Sequence, residues 1–248
     1  MKTRSPLDLP RVLRGTASAV RSLGAVAALA MATGCASGPK ANPADPFEPF
    51  NRSVMRFNDV VDDAVLVPAA TAYRRALPSF VRTGVNNFFG NLSDVWSFAN
   101  SVMQLKLQNS AQTFMRVNVN TVFGLGGLLD VATEAGIDRH SEDFGQTLGR
   151  WGVPSGPYVV LPLLGSSTVR DTAALTIDRQ GDLLNQIHDV PWRNSLYFLR
   201  VIDARSNFLR ASQLLDNAAL DKYTFTRDAY LQRRKNEVHD GDLPNEGN

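Results

Sequence analysis

The sequence predicts a mainly α fold, with one helical domain that is interrupted near its middle by a Gly/Pro-rich loop or hairpin. Apolar residues recur at spacings of three and four along most of the chain, which is the period of a helix with one apolar face. Strand patterns are scarce, because only Tyr158 to Leu164 suits an extended backbone. The stretch from Glu142 to Asp171 is rich in glycine and proline, and it carries no charge between Arg150 and Arg170.

Composition sets the outer bounds. A chain of 248 residues holds one large domain or two small ones. The formal net charge of +2 gives no electrostatic case for nucleic acid, which needs a strongly basic face. The single cysteine excludes an intramolecular disulfide, so it needs another explanation.

The N-terminus supplies that explanation. Residues 1–34 have a basic start and a short apolar run, which predicts a signal peptide that is too short to span a bilayer. Small residues before Cys35 resemble a bacterial lipobox, so we expect lipidation at Cys35, and Ala36 favours the outer membrane by resemblance to the sorting rule. Several acyl chains on one residue give stable anchoring. Residues 35–44 then form a short tether; the alternative is a plain cleaved signal with an incidental cysteine.

The helical domain is predicted over residues 45–238, and its first helix has the clearest apolar stripe. Pro68 is expected to stop or kink this helix. We favour the stripe as part of a core, whereas a helix lying in a bilayer interface would show the same pattern. The stripe comprises Phe47, Phe50, Val54, Phe57 and Val61.

The elements that follow are read from the same periodicity and from capping residues. Ser93 is predicted to cap a new helix, and Asn109 or Ser110 the one after it. The segments expected to be helical are Ala69 to Leu77, Ser79 to Leu92, two helices with apolar faces at Val95–Met103 and Phe114–Thr121, and Leu128 to Ala135, which Gly136 closes.

Beyond the central stretch, Thr168 resembles the start of a capping box, and Pro191 opens the longest helical pattern. A last helix runs from Asp221 to Glu237. Its Arg233-Arg234-Lys235 run is predicted to be solvated, with contact to anionic headgroups as the alternative. Residues 239–248 are predicted to be a disordered tail.

The sequence offers little catalytic chemistry. His140, Glu142 and Asp143 cluster as a candidate acid–base group, but a solvated turn is favoured because no nucleophile or metal motif lies nearby. Arg170 and Asp171 are expected to form a structural ion pair or cap. No zinc spacing and no nucleophile elbow is present, so we expect no enzyme activity, no metal and no cofactor beyond the lipid on Cys35.

Five segments, taken in order, closely resemble the MlaA (VacJ) family of outer-membrane lipoproteins. One departure is Gln104-Leu105-Lys106, where the family often has glycine in the middle. The matching segments are Asp45–Arg52, Val81–Leu92, Asn120–Ala132, Glu142–Asp171 and Arg227–Arg234.

The resemblance implies a ring of helices seated in the inner leaflet of the outer membrane, around an amphipathic channel. It implies removal of mislocalised phospholipid from the outer leaflet, transfer to a periplasmic MlaC-like carrier, and association with a trimeric porin. It implies a lipid-anchored protein at the periplasmic face of the bacterial outer membrane, with phospholipid as the transported ligand. The alternative is a structural lipoprotein that scaffolds a porin or envelope complex without moving lipid.

Glycine-rich, uncharged loops expose backbone polar groups without bulky side chains, which suits a channel wall for a headgroup and its chains. We therefore expect two such segments, the Gly124 to Gly127 turn and the Glu142 to Asp171 stretch, to shape the channel. The candidate residues are Gly124, Leu125, Gly126, Gly127, Phe144, Gly152, Gly156 and Tyr158.

Overall fold

A computed structural model of the chain describes residues 45–242. The chain divides into two compact units, residues 1–50 and 51–248. In the first unit, Asp45–Phe50 form a turn that enters a helix, where the Glu48 N–H donates to the Asp45 carbonyl at 3.2 Å. The predicted signal peptide 1–34, Cys35 and the tether 35–44 lie outside the described residues, as do residues 243–248 of the predicted tail.

Helices make up most of the described residues, which confirms the predicted fold class. α3 packs along α4, α2 along α8, and α6 against α7. The predicted ring arrangement stays a prediction. In chain order the elements are α1 (Glu48–Val61), a π-helical turn (Asp62–Leu66), α2 (Val67–Ala76), α3 (Ser79–Met103), α4 (Leu107–Val122), α5 (Val131–Glu134), α6 (Phe144–Arg150), β1 (Tyr158–Leu161), β2 (Gly165–Thr168), α7 (Val169–Gly181), a 3₁₀ turn (Leu183–Gln186), α8 (Val190–Ala218) and α9 (Lys222–Val238).

The central stretch contains a hairpin, and its first strand begins at Tyr158 as the sequence predicts. β1 pairs with β2 in antiparallel register, from Tyr158 opposite Thr168 to Leu161 opposite Gly165. The Thr168 side chain accepts a hydrogen bond from the Asp171 backbone, which confirms the predicted cap of α7.

Two predicted helix starts are wrong. Ser93 lies inside α3, which runs for 25 residues. Its hydroxyl donates to the Phe89 carbonyl one turn earlier and does not cap a new helix. α4 begins at Leu107, before Asn109 and Ser110, and the Ser110 hydroxyl donates back to the Lys106 carbonyl. In both places the serine hydroxyl donates to a carbonyl of the preceding turn and does not cap the start of a helix.

The helical backbone also continues through Pro68. This proline lies in the first turn of α2, directly after the π-helical turn, and its fixed φ suits that position. The irregularity lies just before it, in the π-helical turn from Asp62 to Leu66. There the Arg205 guanidinium of α8 binds both oxygens of Asp62 at 2.7 Å.

Burial on several helices is inverted relative to a protein in water. In α1 the buried side chain is Asn51, whereas Phe50 and Phe57 are 44% and 50% exposed. The prediction that this stripe forms a core is therefore wrong for Phe50 and Phe57. Water would drive such side chains inward, so this distribution suits an apolar surrounding. The buried residues of α3 and α4 are mostly polar or charged: Asn91, Asp94, Ser97, Asn100, Ser101, Ser110, Thr113, Arg116 and Asn120.

Within residues 45–242, no helix combines the length and the apolar content that crossing a bilayer requires.

A small buried apolar cluster lies at the hairpin, formed by Tyr158, Val160 and Tyr223 with Val54, Met55, Tyr230 and Leu231 packed against it.

Candidate functional site

A cavity of about 520 Å³ opens beside the central stretch. Its walls come from the end of α6, the loop that follows it, the start of α7 and the last turns of α9. Apolar and cationic side chains share these walls, and none of the carboxylates in residues 45–242 lines them. The lining residues are Gly149, Gly152, Val153, Pro154, Ser155, Thr168, Arg170, Leu231, Arg234, Lys235, Val238 and His239.

An ion-pair network lies behind the cationic wall, centred on Arg234. Its Nη2 and Nη1 bind the Asp143 carboxylate at 2.6 and 2.7 Å, and its Nε binds Asp171 at 3.0 Å. Arg170 binds Asp171 from the other side, with Nε 2.9 Å from Oδ1, and the Tyr230 hydroxyl donates to Oδ2 at 2.9 Å. The network ties α6, α7 and α9 together.

The network stabilises the charged forms of Asp171 and Arg234. Burial alone would raise the pKa of Asp171, but the hydrogen bond and charge of Arg234, followed by Arg170, outweigh burial and lower it. Burial likewise disfavours the charged form of Arg234, yet the hydrogen bonds and charges of Asp143 and Asp171 raise its pKa. Burial and the adjacent Asp171 charge raise the pKa of the Tyr230 hydroxyl. The cavity wall therefore carries fixed charges at neutral pH.

Glycines in α6 make room for the two guanidinium groups. A Cβ on Gly145 would lie 2.4 Å from Arg234 Nη2, and a Cβ on Gly149 would lie 2.6 Å from Arg170 Nη1. Any side chain at either position would displace an arginine. The glycine spacing in this part of the central stretch thus has a packing cause.

Two asparagines of α1 hold the hairpin in the way a neighbouring strand would. Asn51 Nδ2 donates to the Tyr158 carbonyl at 3.1 Å, and its Oδ1 accepts from the Val160 N–H at 2.8 Å. Asn58, two helical turns later, repeats the pattern with the Leu161 carbonyl and the Leu163 N–H, at 3.0 and 2.8 Å. The outer edge of β1 is therefore satisfied by side-chain amides.

The Gly124–Gly127 turn does not contribute to this cavity. A Cβ on Gly124 would lie 2.2 Å from the Leu129 carbonyl, and one on Gly127 would lie 2.7 Å from the Asn91 side chain, so both glycines allow close packing. Leu125 and Gly126 are exposed, with φ of 55° and 72°.

The other predicted channel residues have different surroundings. Gly152 lines the cavity with φ of 90° and open space where a Cβ would point. Phe144 packs edge-on against Trp151, with ring centroids 6.1 Å apart. A Cβ on Gly156, which has φ of 67°, would lie 3.2 Å from the Val169 Cβ. Tyr158 is buried in the hairpin cluster. A lipid-contact role for these residues stays a prediction.

The candidate acid–base group is spread over separate structural contacts. Glu142 is buried and binds Lys106 Nζ at 2.8 Å, so the predicted solvated turn is wrong there. Asp143 caps α6 and binds Arg234. The His140 ring lies 2.7 Å from the Gln112 side chain. Arg170 and Asp171 form the expected structural ion pair.

The prediction that the Arg233–Lys235 run is solvated is wrong for Arg234, which is 8% exposed. The available signal was its spacing, since Arg234 follows Tyr230 and Leu231 by four and three residues and precedes Val238 by four. Lys106 was also missed as a buried cation, and it additionally binds Asp240, in the first residues of the predicted tail, at 2.7 Å.

Among residues 45–242, no group of three or more His, Cys, Asp or Glu side chains is arranged to hold a metal ion.

Comparison with known proteins connects this architecture to a family. The family model described as MlaA lipoprotein matches residues 43–237. The intermembrane phospholipid transport system lipoprotein MlaA of Escherichia coli is 35% identical over 234 residues, covering 88% of this chain and 90% of that protein. The protein of the same name from Haemophilus influenzae is 34% identical over 220 residues, covering 85% and 87%. A solved structure described as "Structural basis for maintenance of bacterial outer membrane lipid asymmetry" aligns with a TM-score of 0.69 and 35% identity, covering 78% of this chain and 98% of that chain.

Proposed function

We infer a function from the family, since this chain belongs to the MlaA lipoproteins. We propose that it takes mislocalised phospholipids from the outer leaflet of the outer membrane and passes them to a periplasmic carrier. This transfer would maintain the lipid asymmetry of the outer membrane.

The cavity beside the central stretch is the observation that carries the proposal. A phospholipid needs apolar contacts for its acyl chains and charged or polar contacts for its headgroup. The headgroup needs them because moving an unpaired charge into an apolar medium costs roughly several kcal/mol. Val153, Leu231 and Val238 supply apolar wall, and Arg170 and Arg234 supply charged wall within the same space. One cavity thus offers both environments.

The inverted burial of the helices supports a position within the inner leaflet. Phe114 and Met115 of α4 are more than half exposed, whereas the flanking residues Thr113 and Arg116 are buried. Acyl chains around such helices remove the cost of exposed apolar surface. We propose that lipid on Cys35 anchors the chain, at the periplasmic face, and that the partners are a trimeric porin and an MlaC-like carrier.

The proposal contains no catalytic step. Glu142 and Asp143, the carboxylates at the start of the central stretch, are engaged by Lys106 and Arg234. A carboxylate held in this way acts as a structural charge rather than as a general base. Lipid movement would then follow from binding and from partners that accept the lipid.

The experiment is complementation of a Gram-negative strain that lacks its own family member. Outer-leaflet phospholipid is measured by its accessibility to externally added phospholipase. We expect this chain to lower the accessible phospholipid to the wild-type level. A chain that is stably anchored and co-purifies with a porin, yet leaves accessible phospholipid high, would instead be a scaffold. Cys35→Ala, at equal protein levels, should lose both fatty-acid labelling and complementation.

A further inference from the structure

Arg170 presents hydrogen-bond donors to the cavity that lack a good acceptor. Its Nε and Nη2 each lie 2.9 Å from Asp171 Oδ1, so one edge of the guanidinium is satisfied. Among the acceptors of residues 45–242, its Nη1 has only the Val153 carbonyl, 3.5 Å away, which is the outer limit of a hydrogen bond. The Arg170 side chain is nevertheless 94% buried by solvent accessibility, since only 6% of it is exposed.

The position of this nitrogen is fixed by its neighbours. Nη1 lies 2.6 Å from the point where a Cβ of Gly149 would be, and its distant acceptor belongs to Val153. Gly149, Val153 and Arg170 all line the same cavity. The under-used donor therefore lies at the cavity wall.

Around the cavity, the cationic side chains form the wall and their carboxylate partners lie behind it. The carboxylates of Asp143 and Asp171 balance Arg170 and Arg234, but neither carboxylate lines the cavity. Lys235 adds a further cation at the wall. A ligand in the cavity therefore meets cations first and carboxylates only behind them, which favours an anion.

We propose that this cavity binds the phosphate group of a phospholipid, held by Arg170 Nη1 and by Lys235. Arginine donors match phosphate oxygens in charge and geometry. The acyl chains lie against Val153, Leu231 and Val238. This inference rests on the proposed lipid-transport function and names the part of the chain that recognises the headgroup.

The apolar walls distinguish a lipid from free phosphate as the ligand. Inorganic phosphate uses the cationic donors alone, whereas a lipid also removes apolar surface from water, which strengthens its binding. A lipid with short chains should therefore bind more tightly than inorganic phosphate or a water-soluble glycerophosphodiester. The uncharged diacylglycerol of the same chain length should bind more weakly than the phospholipid.

The test is equilibrium dialysis with the full-length mature protein in a nonionic detergent, against protein-free micelles as the blank. The probes are dihexanoyl phosphatidylglycerol, glycerophosphoglycerol, inorganic phosphate and dihexanoylglycerol. We expect saturable binding that is tightest for the phospholipid. Arg170→Lys should weaken it about tenfold, since one ammonium group cannot bind Asp171 and also present a donor at the position of Nη1. Lys235→Gln should weaken it about threefold.

Arg233→Gln is the matched control. Arg233 lies on the same helix, is largely exposed, is absent from the cavity wall and loses the same charge on substitution. Its binding should stay within about twofold of wild type. Because Lys235 is exposed, its variant folds independently of the buried network and keeps the test valid if Arg170→Lys is unstable.

Three results would overturn the inference. These are equal binding of the phospholipid and dihexanoylglycerol, equally tight binding of inorganic phosphate, and equal losses in the Lys235 and Arg233 variants. If the wild-type chain restores lipid asymmetry in cells but shows any of these results, the proposed function stands and only the headgroup site fails. A wild-type chain that does not restore asymmetry counts against the function itself.

Discussion

Removing the amide of Asn51 tests how the hairpin is held. In Asn51→Ala, the Tyr158 carbonyl and the Val160 N–H lose their side-chain partner. Tyr158 and Val160 are 2% and 3% exposed, so water does not replace the amide. An unsatisfied buried backbone group costs about 1–3 kcal/mol, so two such groups cost about 4 kcal/mol of the free energy of unfolding.

Asn58→Ala is the matched control because it removes the same two bonds from the same helix. Its partners are Leu161 and Leu163, and Leu163 is 68% exposed. Water hydrogen-bonds the freed groups there, so we expect a loss of about 1 kcal/mol. The difference between the two variants is then about 3 kcal/mol, or about 6–12 °C in Tm.

The assay is thermal unfolding in detergent, followed by far-ultraviolet circular dichroism, with urea titration as a second measure of the free energy of unfolding. Asn51→Asp adds a check, because it keeps one acceptor but replaces the donor to the Tyr158 carbonyl with a charged oxygen in the same buried position. We expect it to be at least as destabilising as Asn51→Ala. Equal losses for Asn51→Ala and Asn58→Ala would refute the reasoning, since burial would then not decide the cost.

Three further predictions concern single residues. Leu105, with φ of 58°, occupies a left-handed conformation that glycine adopts without strain. Leu105→Gly should therefore raise the free energy of unfolding by about 0.5–1 kcal/mol in a urea titration. A lower free energy of unfolding in this variant would contradict the strain at Leu105. Burial alone would raise the pKa of Asp130, but hydrogen bonds, first from Thr133, hold it at about 2, below the usual 3.8. Its stabilising effect is complete above about pH 4 and is lost as the pH falls to about 2, so the difference in unfolding free energy between wild type and Asp130→Asn should shrink over that window. Gly145→Ala places a Cβ 2.4 Å from a guanidinium nitrogen and should cost about 3 kcal/mol, against about 1 kcal/mol for Gly126→Ala, whose Cβ meets nothing; equal Tm losses would contradict this.

Sequence periodicity located the helices because it depends only on local spacing. It also placed the start of the hairpin at Tyr158. It failed at Ser93 and Ser110, where a serine bonds back to the preceding turn and no new helix begins. A capping residue and a mid-helix serine look alike until the neighbouring backbone is known.

Periodicity identifies the apolar face of a helix but does not show whether that face contacts the protein core. The stripe of α1 is real, but Asn51 is buried and Phe57 is exposed. The assumption that apolar residues face a protein core holds in water and fails for a helix in lipid. The exposure of Phe50 and Phe57 fits the alternative of an interfacial helix, which stays a prediction.

The cavity chemistry depended on pairs that are distant in the sequence. Arg234 meets Asp143 and Asp171 across 91 and 63 residues. No local pattern joins such residues, although the spacing of Arg234 on α9 indicated a buried face. The glycine richness of the central stretch predicts a channel wall, whereas at Gly145 and Gly149 the structure shows that glycine makes room for the arginines.

The most direct test of the account is to fill the cavity and measure lipid asymmetry in cells. Ser155 lines the cavity and is exposed, and its carbonyl, not its side chain, accepts the Arg170 N–H at 3.1 Å. In the complementation strain, Ser155→Trp at wild-type protein levels should leave phospholipid accessible to external phospholipase, while Ser155→Ala should restore the wild-type level. Full restoration by Ser155→Trp would contradict the claim that phospholipid passes through this cavity.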